Sequence, residues 1–267
     1  MNKWLTALSV ILLAMVLAAC GSSDNTENGN ADGDQKTLKV ATESNFMPFS
    51  YQSKGEVVGF DMDILEAVMA EAGYEYEVEN LSWEAMLISV EQQDSDLAMA
   101  GITINEKRQE MYDLSSPYFE STHKVVFPEG EGITSGEDIK DLKVGVQAGT
   151  TGEEAAEKIL GKNANNLSKY DSNTLALMAL QSGDIEAVVT DNVVADEYIA
   201  NNPDAAVEMI EDPETFESEF YGILLPKDSE LTDEVNEALA TVIEDGRYAE
   251  IYEEWFGVEP NIEAITQ

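Results

Sequence analysis

The chain has 267 residues, 54 of them acidic against 14 Lys and Arg, giving a formal net charge of −40. A surface of that sign repels phosphate backbones and anionic headgroups, which excludes nucleic acid and anionic lipid surfaces as partners. Cys20 is the only cysteine, so the body forms no internal disulfide and must be held by an apolar core, which a chain of this length can supply.

At the N-terminus, Lys3 leads into the apolar run Trp4 to Leu17. This is the layout of a secretory signal, and it falls short of the ~20 residues a membrane span needs. The run ends in Leu17-Ala18-Ala19-Cys20, small residues before a cysteine, and so resembles the bacterial lipobox. Residues 1–19 are expected to be a lipoprotein signal peptide, and Cys20 the lipidated, palmitate-bearing first residue of the mature chain; a retained transmembrane anchor is the alternative. Residues 20–37, rich in Ser, Asn, Asp and Gly, have nothing to bury and read as a tether. All 54 acidic residues follow Cys20, against 13 Lys and Arg, a formal charge of 41 negative. Salt screens such self-repulsion, so a halophile source is one reading and simple solubility the other.

From Leu38 the chain alternates strand-like and helix-like segments. Leu38 to Ala41 reads as a strand. Met62, Leu65, Val68, Met69 and Ala72 recur at helical spacing and stop at Gly73. Tyr74 to Val78 reads as a strand, Trp83 to Glu91 as a helix and Leu97 to Ala100 as a strand. After the extended segment Lys124 to Pro128, the pattern predicts a strand over Lys143 to Val146 and helices over Glu153 to Leu160 and Thr174 to Gln181. A strand over Ile185 to Thr190 ends at Asp191. Tyr221 to Pro226 is extended, and Leu231 to Ile243 and Tyr248 to Phe256 are helical. Such alternation predicts an α/β fold of two halves with parallel-type sheets, and a ligand cleft between them.

Five segments, in this order, carry a family resemblance: Ala41 to Phe49 (ATESNFMPF), Gly59 to Asp63 (GFDMD), Ala100 to Ile104 followed by Glu106-Lys107-Arg108, Gly149-Thr150-Thr151, and Tyr252 to Gly257. Together they resemble bacterial solute-binding protein family 3, the substrate-binding lipoproteins of polar amino acid ABC transporters, over about Leu38 to Gly257. The resemblance implies a type II periplasmic-binding-protein-like fold. Lobe one would span 38–124 plus 224–267 and lobe two 129–219, with hinge crossings at about 125–128 and 219–223. It also implies a monomer on the outer face of the cell membrane, held there by lipid on Cys20, with an amino acid as ligand and ABC permease subunits as partners.

The site residues follow in the same way. Arg108 is one of only two arginines, and a guanidinium fork can hold a carboxylate by two parallel hydrogen bonds; the family places its α-carboxylate clamp here, and a surface salt bridge is the alternative. Thr103 and Thr151 are expected to assist, Thr151 at a helix start where N–H groups favour an anion. Capping or strand packing is the alternative for each threonine. The Gly101 carbonyl and the Asp191 carboxylate would receive the ligand ammonium; Asp191 could otherwise cap the next helix. Phe46 and Trp83 resemble the aromatic pair that sandwiches the ligand side chain, or are plain core, and Ala100 lines the same pocket. Glu43 stands where many relatives have Asp, and Gln147 where glutamine binders carry Lys. With Glu43, Asp191 and no second cation, a basic amino acid is favoured over an acidic one. Glutamine or another uncharged polar amino acid, an ectoine-type osmolyte, and a dehydratase relative are the alternatives.

No nucleophile with an adjacent base is evident around His123, the sole histidine, so catalysis is not expected. No cysteine or second histidine accompanies His123, and the acidic residues follow no calcium-loop pattern. No metal and no cofactor are expected.

Overall fold

The computed structural model describes residues 37–266. The expected signal peptide, the lipidated Cys20 and nearly all of the tether lie outside the described residues. Among the described residues no helix is long and apolar enough to cross a membrane.

The first half opens with β1 (Leu38–Thr42), followed by a small meander of β2 (Asn45–Phe46), β3 (Ser50–Ser53) and β4 (Glu56–Val58). Next come α1 (Phe60–Ala72), β5 (Tyr76–Asn80), α2 (Trp83–Glu91), β6 (Leu97–Ala98), α3 (Glu106–Met111), β7 (Tyr112–Leu114) and β8 (Phe119–Ser121). The second half contains β9 (His123–Pro128), β10 (Val144–Gln147), α4 (Thr151–Leu160) and β11 (Leu167–Tyr170). It continues through α5 (Asn173–Ser182), β12 (Ala187–Asp191), α6 (Asn192–Asn201) and β13 (Val207–Glu211). The return is made by β14 (Glu219–Tyr221), β15 (Leu224–Pro226), α7 (Leu231–Glu244), α8 (Arg247–Phe256) and the short α9 (Ile262–Ile265).

Two five-stranded sheets result, ordered β5-β1-β6-β15-β7 and β11-β10-β12-β9-β13. Each has a parallel core: β1 pairs parallel with β5 and β6, and β10 with β11 and β12. Each also carries one reversed strand, β15 in the first and β9 in the second, antiparallel to both of its neighbours, so the sheets are mixed rather than wholly parallel. The return strand β15 enters the first sheet, and α7 and α8 pack on α1. Arg247 Nη2 to Glu71 Oε2 at 2.6 Å and Trp255 Nε1 to Asp63 Oδ2 at 2.6 Å fasten that docking.

Local chemistry sets the helix ends. A Cβ on Gly59 would stand 2.0 Å from the Phe49 carbonyl oxygen, so only glycine allows the chain to pass Phe49 into α1. Asp61 and Asp63 lie in the first turn, where negative charge suits the helix dipole. Gly73, left-handed at φ 77°, ends the helix by donating to the Met69 carbonyl.

Val125 to Pro128, expected at a crossing, lie inside the second sheet. Val125 and Val126 pair with β12 on one side while β13 flanks the other. Val125, Val126 and Phe127 are buried, because an apolar run buried on both faces makes an interior strand. The chain passes between the sheets just before, in β8, and returns in β14; these two pair antiparallel as a separate ribbon, with Phe119 opposite Tyr221 and Ser121 opposite Glu219. Phe119 and Tyr221 stack at 5.6 Å between centroids, and Phe49, Phe60 and Phe256 surround Phe119 at 4.9 to 5.7 Å. Such aromatic pairs contribute roughly 0.5–1.5 kcal/mol each beyond their buried area, so the ribbon is rigidly seated.

Candidate functional site

The parallel strands of both sheets end at one cleft, as open α/β sheets dictate. Glu43 follows β1, Ala100 and Gly101 follow β6, Gln147 ends β10, and Asp191 ends β12. Together with Phe46, Trp83, Thr103, Arg108 and Thr151 they line a single cavity, which Thr150 and Asn173 complete. Its free space is about 10 Å³, the scale of one water molecule.

Within this lining stands Arg108, 7 % exposed. Asn105 caps α3 by accepting from the Arg108 N–H at 2.9 Å, which fixes the backbone from which the side chain turns inward. The Arg108 Nη1 donates to the Thr103 carbonyl at 2.8 Å, and its guanidinium lies 5.2 Å from the centre of the Trp83 ring. Burial depresses its pKa, while the carboxylates of Glu219, Glu154 and Asp191 oppose that shift; a guanidinium stays cationic throughout. Facing it, the Thr150 hydroxyl accepts from the Glu153 N–H at 3.3 Å and so caps α4, leaving Thr151 in the first helical turn. The Thr103 and Thr151 hydroxyls are 3.3 Å apart. A cation and a helix N-terminus converge there, which is chemistry suited to a carboxylate, while both hydroxyls donate to Glu219 Oε2 at 3.0 and 2.8 Å.

Asp191 and Gly101 form a second polar corner. Asp191 occupies the N-cap position of α6 but its side chain makes no capping bond; instead Oδ1 accepts from the Tyr221 hydroxyl at 2.6 Å. Gly101 has φ +57°, and a Cβ there would lie 2.3 Å from the Phe46 ring, so both backbone and aromatic neighbour require glycine. Its N–H donates to Asp61 Oδ2 at 2.9 Å, and the Tyr118 hydroxyl donates to Asp61 Oδ1 at 2.9 Å. Asp61 is fully buried; burial raises its pKa to about 7, against the lowering effect of the Tyr118 and Gly101 hydrogen bonds.

In the same lining Glu43, 2 % exposed, accepts from the single Gln147 Nε2 at 3.0 and 2.9 Å on its two oxygens. Burial raises its pKa to about 7, partly offset by the Gln147 bond. Phe46 stacks on Phe49 at 5.1 Å and forms one wall. Trp83, which opens α2, forms another and donates Nε1 to the Gly149 carbonyl at 3.1 Å, joining the two halves.

A far larger groove of about 870 Å³ lies on the other side of Thr103 and Thr151, open to solvent and lined by Glu137, Glu154, Asp212, Glu214 and Glu217. It contains none of Arg108, Phe46, Trp83 or Asp191. Among the described residues no His, Cys, Asp and Glu cluster has the geometry of a metal site.

Five residues of the site and its surroundings carry no functional signal in the sequence. Thr150 and Asn173 carry no signal beyond that of ordinary capping. Tyr221 and Glu219 fell within an expected crossing with no role of their own. Asp61 sat in the GFDMD segment, and its support of Gly101 depends on a contact 40 positions away.

A two-lobe α/β body with cleft-lining residues drawn from both sheets defines a receptor of the periplasmic-binding type. Residues 38–258 match the model of the bacterial extracellular solute-binding proteins, family 3, and the chain belongs to that family, one of binding proteins and not of enzymes. It is 34% identical over 262 residues to a probable histidine-binding protein of Neisseria gonorrhoeae, covering 97% of each chain. It is 29% identical to the arginine-binding extracellular protein ArtP of Bacillus subtilis, covering 96% of this chain and 98% of that one. Among solved structures, the arginine-, lysine-, histidine-binding protein ArtJ of Geobacillus stearothermophilus is 44% identical, with a TM-score of 0.85 over 87% of this chain and all of that one.

Proposed function

We propose that the protein captures a basic L-amino acid outside the cytoplasmic membrane and presents it to the permease subunits of an ABC importer. The observation that carries the reading is Glu43. It is a buried carboxylate, and its recorded hydrogen-bond partner is the neutral Gln147 amide. Burying an ionised acid without a cation is costly, and a cationic ligand head supplies the charge that burial withholds. Arg108 and the N-terminus of α4 take the α-carboxylate. Asp191 and the Gly101 carbonyl take the α-ammonium, and the methylenes lie between Phe46 and Trp83 with Ala100 beneath. The named binding partners of the relatives, histidine, arginine and lysine, support a cationic side chain.

Closure of the lobes about the β8–β14 ribbon would enclose the ligand, since a two-strand crossing allows one bending motion and resists others. In this reading the lobes meet at that ribbon, β1–β7 with β15–α9 on one side and β9–β13 on the other. Lipid on Cys20 would hold the receptor at the membrane, which palmitate labelling of the wild type and of Cys20→Ala would test. The ligand is tested by calorimetric titration of the stripped protein against arginine, lysine, histidine, glutamine and ectoine. Tight 1:1 binding of a basic amino acid is expected. Binding of glutamine or ectoine alone would overturn the cationic assignment, and no binding across a full amino acid panel would overturn the reading altogether.

A further inference from the structure

We propose that Glu219 is a positioning residue of the binding site: from the returning crossing strand, its carboxylate draws a threonine hydroxyl of each lobe onto one oxygen and so holds the lobes closed around ligand. This rests on the cavity being an amino acid site.

Glu219 opens β14, where the chain passes from the second sheet back to the first. Its Oε2 accepts from the Thr103 hydroxyl at 3.0 Å and from the Thr151 hydroxyl at 2.8 Å. Thr103 follows β6 of the first sheet, whereas Thr151 begins the helix that follows β10 of the second. Hydroxyls donated to an ionised acceptor make the stronger class of hydrogen bond. A crossing strand moves little when the lobes rotate, so Glu219 stays within reach while Thr103 and Thr151 part. One oxygen can gather both donors only when the lobes are together, and the two bonds therefore favour the closed arrangement over the open one.

The proton count extends the inference. Each hydroxyl carries one proton. With both protons directed to Glu219, neither threonine side chain has one left for a ligand carboxylate. The carboxylate is then held by Arg108 and by backbone N–H groups of the α4 start, and the hydroxyls act as spacers that align those donors. The neighbourhood contains two further groups of consequence. Glu219 is foremost among the carboxylates that favour the charged form of Arg108, and His123 Nε2 stands 3.9 Å from the same Glu219 oxygen and 3.4 Å from the Thr151 hydroxyl.

Stopped-flow tryptophan fluorescence with arginine as ligand, on wild type, Glu219→Ala and Glu219→Gln, tests the assignment. Alanine removes both bonds and is expected to raise the dissociation rate about tenfold while the association rate stays within about twofold. Glutamine keeps a neutral acceptor oxygen and should recover part of the loss, which a residue needed only for folding would not do. An unchanged dissociation rate in Glu219→Ala, with wild type binding arginine normally, overturns the proposal alone. If the alanine variant does not fold, the isosteric glutamine variant decides: a rise of about threefold supports the role, and no rise overturns it. Failure of wild type to bind any amino acid sinks the binding reading and this proposal with it.

Discussion

Tyr221 donates its hydroxyl to Asp191 Oδ1 at 2.6 Å, so a residue of the crossing strand orients the acid that ends β12. The same hydroxyl lies 2.9 Å from the Ser121 hydroxyl on the partner crossing strand. Burial, and then the Asp191 charge, push the Tyr221 pKa well above its usual value, so it remains a donor at any physiological pH. Tyr221→Phe keeps the aromatic packing and removes only the oxygen. Thermal stability should fall slightly, while the affinity for an α-amino acid weakens about tenfold, as expected for a lost hydrogen bond to a charged group. Calorimetric titration beside a melting curve separates the two effects.

Arg108 is held by its Thr103 bond and lies over Trp83. Lysine reproduces the charge but not the fork or the stacking. Arg108→Lys should weaken binding by about 2–3 kcal/mol, and Arg108→Ala by more, since hydrogen bonds to charged groups contribute roughly 1.5–3 kcal/mol each. Equal affinity in wild type and Arg108→Lys would show that the carboxylate is clamped elsewhere.

Glu43 is expected to make ligand choice depend on pH. In the free protein its pKa is raised to about 7, and a cationic ligand binds the ionised form. Affinity for arginine should thus be maximal above pH 7 and fall as pH drops below it, approaching tenfold per unit for one proton displaced. Glu43→Gln should flatten this profile and shift preference towards uncharged ligands. Titrations at pH 5, 6, 7 and 8 would expose a flat wild-type profile if the acid does not face the ligand.

Asp61 affects stability with its own sign. Its folded pKa, about 7, exceeds the ordinary carboxyl value of 3.8, so between those limits the folded state binds more protons than the unfolded one. Stability is therefore greatest at the acid end of that window and declines as pH rises through it, by on the order of 4 kcal/mol for a shift of this size. Asp61→Asn should remove the slope. It also places an amide N–H₂ against either the Gly101 N–H or the Tyr118 hydroxyl, so ligand affinity should drop as the Gly101 turn loosens. Urea unfolding across pH 4 to 8 measures the slope, and titration of the same variant measures the turn.

The alternation of elements was legible because periodicity reports which face of a local segment is buried. The span Met62 to Ala72, closed by Gly73, is α1 to within two residues at its start. The pattern also separated the two βα halves. It could not reveal that β15, α7 and α8 return to the first sheet, because strand order is decided by contacts more than 100 residues apart, such as Leu224 against Leu114. The residues of Val125 to Pro128 show only an extended apolar run, and the family resemblance implies a crossing there; pairing with β12 and β13 places the run inside the second sheet.

For the site, residue chemistry together with the family resemblance points to ten residues, and the fold brings those ten to one cavity. Their type was visible because an arginine in so acidic a chain, or a glycine before a threonine at a helix start, has few uses. The supporting contacts were not visible. Asp61 under Gly101, Tyr221 on Asp191 and Glu219 between Thr103 and Thr151 join segments 30 to 116 positions apart. A sequence records which groups can bond, whereas which donor meets which acceptor is decided when the two sheets and the crossing strands pack, since only that packing determines distance and desolvation.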